Sequence, residues 1–266
     1  MDPEKDYISI NRESWNRQVA VHLGSEFYNQ KEFLAGKSTL NDIDLAVLGD
    51  VKGKKVLHLQ CHFGQDSISL ARLGASVTGV DLSDKAIDTA RQIAKDLEAD
   101  ATFVCCDLYS LPEHLDGQFD IVFSSYGTIG WLPDLDKWAA IIHRYLKPGG
   151  HFAFAEFHPV VWMFDNKFGK IEYRYFRTEA IVEVVKGSYA DRYSDIELQH
   201  VSWNHGLSEV ISSLLNAGLT LSSLAEFDYS PYACFDDVVE FEPGKYRIAH
   251  LGDKIPMTYT LSASKI

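Results

Sequence analysis

The sequence predicts an α/β fold in which a mostly parallel sheet is covered by helices on both faces. Three observations favour it. Between residues 56 and 157, apolar runs that suit strands alternate with stretches whose apolar residues recur at helical spacing. The strand runs are nearly continuously apolar, as in strands buried on both faces. The second run closes with an acid, Asp81, at the sheet edge where ligands of such folds bind.

The first strand–helix–strand unit is the one from which the later elements of the chain can be placed. A strand, a tight turn, a helix, a strand and an acid follow one another over residues 56–59, 60–64, 67–73, 76–80 and 81. The helix N-terminus offers free backbone N–H groups and a positive dipole end, and the acid can accept hydrogen bonds from a ribose diol. This is the layout of a nucleotide-binding βαβ unit.

Later elements continue the alternation. Ser83 is a good N-cap for a helix that follows Asp81. A further helix stops where Pro148 and the glycines after it cannot continue it. The predicted helices lie over residues 84–97, 135–146 and 208–217, and the predicted strands lie over 101–105, 119–123, 151–157, 219–227 and 256–264.

Two segments stand apart from this pattern. Residues 7–35 read as helical, starting near Ser9 or Asn11, so we expect an N-terminal helical cap over residues 1–50. Residues 158–205 hold β-leaning runs, many aromatic residues and no clear helix. We expect a β-rich insertion there that covers the substrate site, and a core domain made of residues 51–157 and 206–266.

Composition excludes several classes of protein. The 266 residues are 46% hydrophobic, enough to bury a core, and no apolar run approaches the roughly 20 residues of a membrane span. The formal net charge of −13 disfavours a nucleic-acid partner. The first residues are charged, unlike a signal peptide, and the four cysteines form no disulfide framework. We therefore expect a cytoplasmic protein, either a monomer or a homodimer.

From residue 56 to the C-terminus the chain resembles the class I S-adenosylmethionine-dependent methyltransferases. The motifs that carry the resemblance are five segments in order, residues 56–64, 77–83, 106–108, 119–122 and 146–150, followed by the closing strand. The resemblance implies a Rossmann-like, seven-stranded, mostly parallel sheet whose last strand is antiparallel. It also implies S-adenosyl-L-methionine as cofactor, with S-adenosyl-L-homocysteine as product.

The first motif departs from the family. The family's acid–x–Gly–x–Gly–x–Gly becomes His58, Gln60, His62 and Gly64, and the stretch Leu-His-Leu-Gln-Cys-His-Phe-Gly resembles a variant subgroup of bacterial methyltransferases. The family's glycines permit close backbone approach to the cofactor. Gln60 and His62 either bond the methionine end of the cofactor or only shape the turn.

The resemblance assigns cofactor contacts residue by residue. Asp81 is expected to hold the ribose hydroxyls, and Asp107 to accept from the adenine amino group. For both, a plain helix-flanking acid is the alternative. The full predicted cofactor-binding set is Gln60, His62, Gly64, Gln65, Asp81, Leu82, Ser83, Asp107, Leu108, Ser125 and Tyr126.

Candidates for the acceptor side are fewer. His158 follows the fifth strand and titrates in a useful range, so it is the candidate general base. The alternative is a structural loop histidine before Pro159. The candidate substrate-binding residues are His22, Tyr28, Trp131 and Trp162, for which core or lid packing is the alternative. The histidines do not cluster at metal-ligand spacing, so no metal is expected.

Three functions remain compatible with these residues. The first is methyl transfer from S-adenosylmethionine to a small-molecule acceptor, because the aromatic-rich insertion suits a compact and partly apolar molecule. The second is non-catalytic binding of S-adenosylmethionine or S-adenosylhomocysteine. The third, an NAD-dependent oxidoreductase, has a poorer glycine pattern for a pyrophosphate and lacks a catalytic Tyr-x-x-x-Lys.

Overall fold

The computed structural model describes residues 4–266, so the first three residues of the predicted segment 1–50 lie outside the described residues. The helices are α1 (Tyr7–Gly24), α2 (Gln30–Leu34), α3 (Asp42–Leu48), α4 (Gln65–Arg72), α5 (Asp84–Asp96), α6 (Leu135–Tyr145) and α7 (Leu207–Asn216). The strands are β1 (Lys55–Leu59), β2 (Ser76–Asp81), β3 (Ala101–Cys105), β4 (Phe119–Ser125), β5 (Leu146–Phe157), β6 (Ile181–Lys186), β7 (Glu197–Ser202), β8 (Leu219–Phe227), β9 (Val238–Glu242), β10 (Lys245–Ile248) and β11 (Thr258–Lys265).

A seven-stranded sheet in the order β3-β2-β1-β4-β5-β11-β8 forms the centre of the described chain. The pairs from β3 to β5 are parallel, whereas β11 runs antiparallel to both β5 and β8. The predicted seven-stranded, mostly parallel sheet with an antiparallel last strand is confirmed. The chain leaves β1 in one direction to β2 and β3 and returns to its other side at β4, which creates a crevice at the carboxyl ends of β1 and β4.

The core divides between the two faces of this sheet, because side chains alternate along each strand. Leu57 and Leu59 of β1 pack in one buried cluster with Trp138 of α6. Val56 belongs to the cluster on the opposite face, together with Leu70 of α4. Helices therefore cover both faces, and ligand access is left to the sheet edge.

Helix α1 buries a polar face. The sequence pattern favours a face of Ile10, Trp15, Val19, His22 and Leu23, but the buried residues of α1 are Asn11, Ser14, Gln18, Val19 and His22. The physical reason is the pair of partners: α1 packs on the backbone edge of β7 at Asn11, and on a small apolar cluster with Phe63 and Ala86 at Val19. The Asn11 side-chain amide donates to Val201 O at 2.8 Å and accepts from Val201 N at 3.0 Å.

Two hairpins lie outside the central sheet. Strands β6 and β7 pair antiparallel within the segment 158–205, and β9 pairs with β10 between β8 and β11. The β-leaning run at residues 171–176 forms an isolated bridge from Ile171 to Phe164 and not a strand. The sequence pattern did not reveal the β9–β10 hairpin, because its exposed strands lack the apolar run of a buried strand. Between residues 4 and 266, no helix combines the length and apolar character needed to cross a membrane.

Candidate active site

A cavity of about 990 Å³ opens at the carboxyl ends of the parallel strands. Its volume lies at the upper end of the range for small-molecule sites, about 300 to 1,000 Å³. The turn after β1 and the ends of β2 to β5 line the sheet side, and α1 and the β6–β7 hairpin line the opposite side. The cavity therefore lies between the central sheet and the two segments that stand apart from it in sequence.

The cavity brings together most of the predicted site residues. Those that line it are Gln60, His62, Gly64, Gln65, Asp81, Leu82, Asp107, Leu108, Ser125, Tyr126, Tyr28, Trp131 and Trp162. Ser83, His22 and His158 do not line it. Ser83 caps α5 by accepting from Ala86 N at 3.0 Å, and its hydroxyl donates to Asn16.

The turn after β1 keeps a left-handed backbone at the positions where the family has glycine. The φ angles are 54° at Gln60, 52° at His62 and 80° at Gly64. Non-glycine residues rarely adopt this region, because Cβ crowds the following carbonyl oxygen. Contacts to neighbouring loops hold the turn: Gln60 Nε2 donates to Thr128 O at 2.9 Å, and His62 N donates to Asp81 Oδ2 at 2.8 Å.

Gly64 is needed for packing as well as for its backbone conformation. A Cβ at this position would lie 2.7 Å from two ring atoms of Phe103 and 3.0 Å from Ala90 Cβ. Gly64 precedes α4, and the helix can therefore approach β3 and α5 closely. Gln65, in the first turn of α4, donates from Nε2 to Tyr28 O at 3.1 Å and to Gln30 Oε1 at 2.6 Å, which ties the turn to the N-terminal segment.

Asp81 and Asp107 lie at the ends of neighbouring strands, facing the cavity. Asp81 accepts from the backbone N–H groups of His62 and Ser83, and Asp107 accepts from those of Tyr109 and Ser110. Burial raises the pKa of both carboxyl groups. Each carboxylate oxygen can accept more than one hydrogen bond, so both acids keep capacity for a ligand.

A second group of acidic side chains, Asp44 of α3 and Asp66 of α4, lies near the end of β4. The sequence analysis did not predict these two residues as part of a site. Asp66 lines the cavity, and its Oδ1 accepts from Thr39 Oγ1 at 2.5 Å. Burial raises the pKa of Asp66 and raises that of Asp44 to about 8, with the charge of Asp66 as the next cause at Asp44. Tyr126 lies against this group, since its hydroxyl is 3.3 Å from the Asn41 side-chain nitrogen.

Glu156 fixes the loop after β4. Its Oε2 accepts from Thr128 N at 2.8 Å and from Thr128 Oγ1 at 3.0 Å, and its Oε1 accepts from Gly127 N. Burial raises its pKa, and the backbone donors oppose that effect. The sequence signal that could have identified Glu156 is its position as an acid inside the apolar strand predicted over residues 151–157.

The histidines His22 and His62 form a contact between three segments. His22 Nδ1 lies 2.9 Å from His62 Nε2, and His22 Nε2 lies 3.0 Å from Ser188 Oγ in the insertion. The His22 ring stacks on Tyr28, whose hydroxyl bonds that of Tyr189. Burial lowers the pKa of His22 to about 4. His22 thus does not line the cavity itself but contacts His62 and Tyr28, which do.

His158 is turned away from the cavity. Its Nε2 lies 2.9 Å from Glu226 Oε1 on β8, and its Nδ1 accepts from Val160 N at 3.2 Å. Burial lowers the pKa of His158, and Glu226 opposes this. The prediction that His158 is a general base receives no support from this arrangement, because Glu226 and Val160 N engage both ring nitrogens.

The β6–β7 hairpin contributes a histidine that the sequence did not favour. His200 lines the cavity, and its ring lies edge-on to Trp131 with centroids 5.2 Å apart. Among the described residues, no group of three or more His, Cys, Asp or Glu side chains could hold a metal ion. The cavity lining combines carboxylates, aromatic rings and imidazoles, and burial lowers the pKa of His62 and His200 among the latter.

Residues 56–150, which form β1 to the start of β5 and include the turn after β1 together with Asp81 and Asp107, match the family described as Methyltransferase domain. This segment of the chain is therefore similar to a methyltransferase domain. The chain is 36% identical over 133 residues to an uncharacterized methyltransferase of Synechocystis sp., and 31% identical over 108 residues to a ubiquinone biosynthesis O-methyltransferase of Alkalilimnicola ehrlichii. The matches cover 49% and 41% of this chain.

The aligned part of the chain spans 60% of the Synechocystis protein and 43% of the Alkalilimnicola protein. Solved structures are similar over more of the chain. An S-adenosylmethionine-dependent methyltransferase from Mesorhizobium loti has a TM-score of 0.57 at 23% identity, covering 87% of this chain and 99% of its own. Geranyl diphosphate C-methyltransferase from Streptomyces coelicolor has a TM-score of 0.61 at 15% identity, with both chains fully covered at 100%. At these identities the likeness is one of fold.

Proposed function

We propose that this protein transfers a methyl group from S-adenosyl-L-methionine to a small-molecule acceptor. One observation carries the proposal: Asp81 and Asp107, at the ends of adjacent strands, share a single cavity with the left-handed turn at residues 60–64. The relatives named as methyltransferases support the same reaction class.

The residues present fit this cofactor. Two polar atoms of the turn, Gln60 Oε1 and His62 Nδ1, are buried and have no hydrogen-bond partner within the described part of the chain. Such orphans are costly unless a ligand or water satisfies them. Gln60 and His62 would hold the methionine end, Asp81 the ribose hydroxyls, and Asp107 the adenine amino group beside Leu108.

When bound, the cofactor supplies an electrophilic methyl group. The contribution of the protein is to position the acceptor and to exclude water, which supplies most of the acceleration in a displacement of this kind. Glu156 holds the loop after β4, and Trp131 in that loop donates from Nε1 to Gly127 O at 2.7 Å. These contacts fix the wall between the cofactor-binding strands and the insertion.

The insertion, the cap and the net charge support a compact acceptor. Described residues of the expected cap and of the expected insertion line the cavity opposite the sheet, which disfavours a protein tail or a nucleic acid as substrate. The charge of −13 disfavours nucleic acid further. We expect a cytoplasmic monomer or homodimer without a membrane partner.

Calorimetric titration with S-adenosylmethionine and S-adenosylhomocysteine tests the cofactor assignment. We expect micromolar binding to the native protein and a loss of about tenfold to a hundredfold in Asp81→Asn, since a hydrogen bond to a charged group contributes roughly 1.5–3 kcal/mol. Asp116→Asn, an exposed acid outside the cavity, is the matched control and should bind as the native protein does. Failure of the native protein to bind either compound would overturn the proposal, and binding without turnover on any acceptor would favour the non-catalytic function.

A further inference from the structure

The cavity face of the β6–β7 hairpin carries a carboxylate directly opposite a histidine. Glu183 of β6 pairs with His200 of β7 in the antiparallel register, and both side chains line the cavity. Residues directly opposite on one face of such a pair have Cβ atoms about 4.5–5.5 Å apart. The two side chains can therefore contact one ligand group at the same time.

His200 presents an unused nitrogen at this place. Its Nε2 is buried and has no hydrogen-bond partner within residues 4–266. Burial lowers the pKa of His200 to about 4, so the ring is neutral near pH 7 and one nitrogen accepts a hydrogen bond. Its edge-on contact with Trp131 orients the ring, and Trp131 is itself anchored to Gly127 O at 2.7 Å.

Glu183 supplies a charge that no protein cation neutralises. The hydroxyl of Tyr173 donates to its Oε1, and this contact is the main cause of the raised pKa of Tyr173. No lysine or arginine in the described part of the chain forms an ion pair with Glu183. Glu183 is exposed and lines the cavity, and a carboxylate there without a protein cation favours a ligand that carries a positive charge.

The surroundings agree with a cationic ligand. In the cavity lining, carboxylate side chains outnumber lysine and arginine by eight to three, and Arg192, one of these three, is paired with Asp236. The Trp131 and Trp162 rings add faces that attract a cation within about 6 Å. Because Trp131 follows β4 and Trp162 follows β5, the pair lies away from the predicted ribose and adenine contacts on β2 and β3.

We propose that Glu183 and His200 bind the amino group of the methyl acceptor, so that the acceptor is a primary or secondary amine. The inference rests on the proposed function and specifies its substrate class. Glu183 compensates the positive charge of the ammonium form, and His200 Nε2 accepts an N–H. Before transfer the ammonium gives one proton to water. The neutral amine nitrogen then forms its bond to the methyl carbon as the sulfur–methyl bond breaks, which leaves S-adenosylhomocysteine and a methylated ammonium. The same carboxylate disfavours acceptors that are or become anionic, such as carboxylates, phosphates and phenolates, because two negative charges in contact repel each other.

A matched pair of probes tests the amine site by binding rather than by turnover. The protein is saturated with S-adenosylhomocysteine and titrated with 2-phenylethylamine and, separately, with 2-phenylethanol, which has the same shape and no charge. Tryptophan fluorescence reports binding near Trp131. We expect the amine to bind at least tenfold more tightly than the alcohol, and Glu183→Gln to remove this difference while leaving alcohol binding unchanged.

Two further variants complete the experiment. His200→Phe keeps the edge-on contact with Trp131 but has no acceptor nitrogen, and it should weaken amine binding about three- to tenfold. Glu197→Gln, on the same hairpin but outside the cavity lining, should behave as the native protein. Equal affinity for the two probes, binding of neither probe, or an unchanged preference in Glu183→Gln would each overturn the amine proposal.

Failure of the proposed function gives a different result from failure of this inference. If S-adenosylhomocysteine does not bind, the cofactor assignment fails, and the two probes are then titrated against the free protein. A retained and Glu183-dependent amine preference in that case supports the amine site without the cofactor. If S-adenosylhomocysteine binds and the amine preference is absent, the cofactor assignment stands and the acceptor class is wrong.

Discussion

Gln60 and His62 show how a side chain can take the place of a glycine. Both residues hold φ near +50°, a conformation that costs an L-residue roughly 1–2 kcal/mol. Each is held by a specific partner, Thr128 O for Gln60 and His22 Nδ1 for His62. The altered motif therefore keeps the left-handed backbone conformation that glycine favours, and it adds two side chains at the turn.

Asp44 is a buried acid whose ionisation opposes folding. It completes the N-terminal cap of α3 by accepting from Asn41 N at 3.0 Å, but its Oδ1 has no hydrogen-bond partner among the described residues. Its pKa is raised from 3.8 to about 8, so the folded protein binds a proton there that the unfolded chain has already lost at neutral pH. The stability that this proton maintains is complete below pH 3.8 and falls as pH rises towards 8.

We expect Asp44→Asn to gain stability over the native protein as pH rises from about 4 to 8, by about 1 kcal/mol per pH unit. Urea unfolding at a series of pH values measures the difference in the free energy of unfolding. Asp42→Asn, an exposed acid of the same helix, should show no such slope. A difference between Asp44→Asn and native protein that does not vary with pH would mean that Asp44 is ionised without penalty.

At the scale of elements, the approach of α4 to the sheet depends on Gly64. We expect Gly64→Ala to reduce the free energy of unfolding by about 1–3 kcal/mol, because its Cβ would overlap the Phe103 ring and its φ is positive. Gly149→Ala separates these causes: its φ is 79°, and nothing lies within 4 Å of an added Cβ. Equal losses in the two variants would show that backbone strain acts alone. A greater loss at Gly64, partly recovered by Phe103→Leu, would show the clash.

Helix α1 is unusual as an element because its buried face is polar. Asn11 completes the hydrogen bonds of Val201 at the edge of β7, and His22 reaches the turn after β1. An amphipathic pattern detects a helix on an apolar core. Here Val19 packs in a small apolar cluster, but Asn11 bonds the backbone of β7 and His22 contacts His62, so the pattern identifies the helix but only part of the face that it buries.

On the scale of the whole molecule, three separate segments meet at His22. The contacts from His22 to His62 and to Ser188 join α1, the turn after β1 and the insertion, and so enclose the cavity. Hydrogen bonds contribute about 0.5–1.5 kcal/mol each. The two contacts of His22 therefore stabilise the closed arrangement only weakly and can break and re-form.

We expect His22→Phe, which keeps the ring against Tyr28 but loses both hydrogen bonds, to speed amide hydrogen exchange in residues 187–191 by up to about tenfold. His114→Phe, an exposed histidine, is the matched control. In the native protein, acid should lower the protection of the same amides, measured as the exchange rate relative to the intrinsic rate at each pH. The pKa of His22 is lowered from 6.5 to about 4, so its stabilising effect is complete above pH 6.5 and falls as pH drops towards 4. Unchanged exchange in His22→Phe would show that other contacts close the cavity.

The sequence by itself determined the sheet and its ligand-binding edge. Continuous apolar strands, helical spacing and the acids at residues 81 and 107 depend on local chemistry and on the order of elements, and these are readable along the chain. The tertiary structure alone decided which distant residues share the cavity. The register of β6 and β7 places Glu183 opposite His200. The order of the strands in the sheet brings Asp66 and Glu156 to the same cavity. His158, the predicted general base, instead contacts Glu226, because the strand order β5-β11-β8 brings together residues that are 68 positions apart in the sequence.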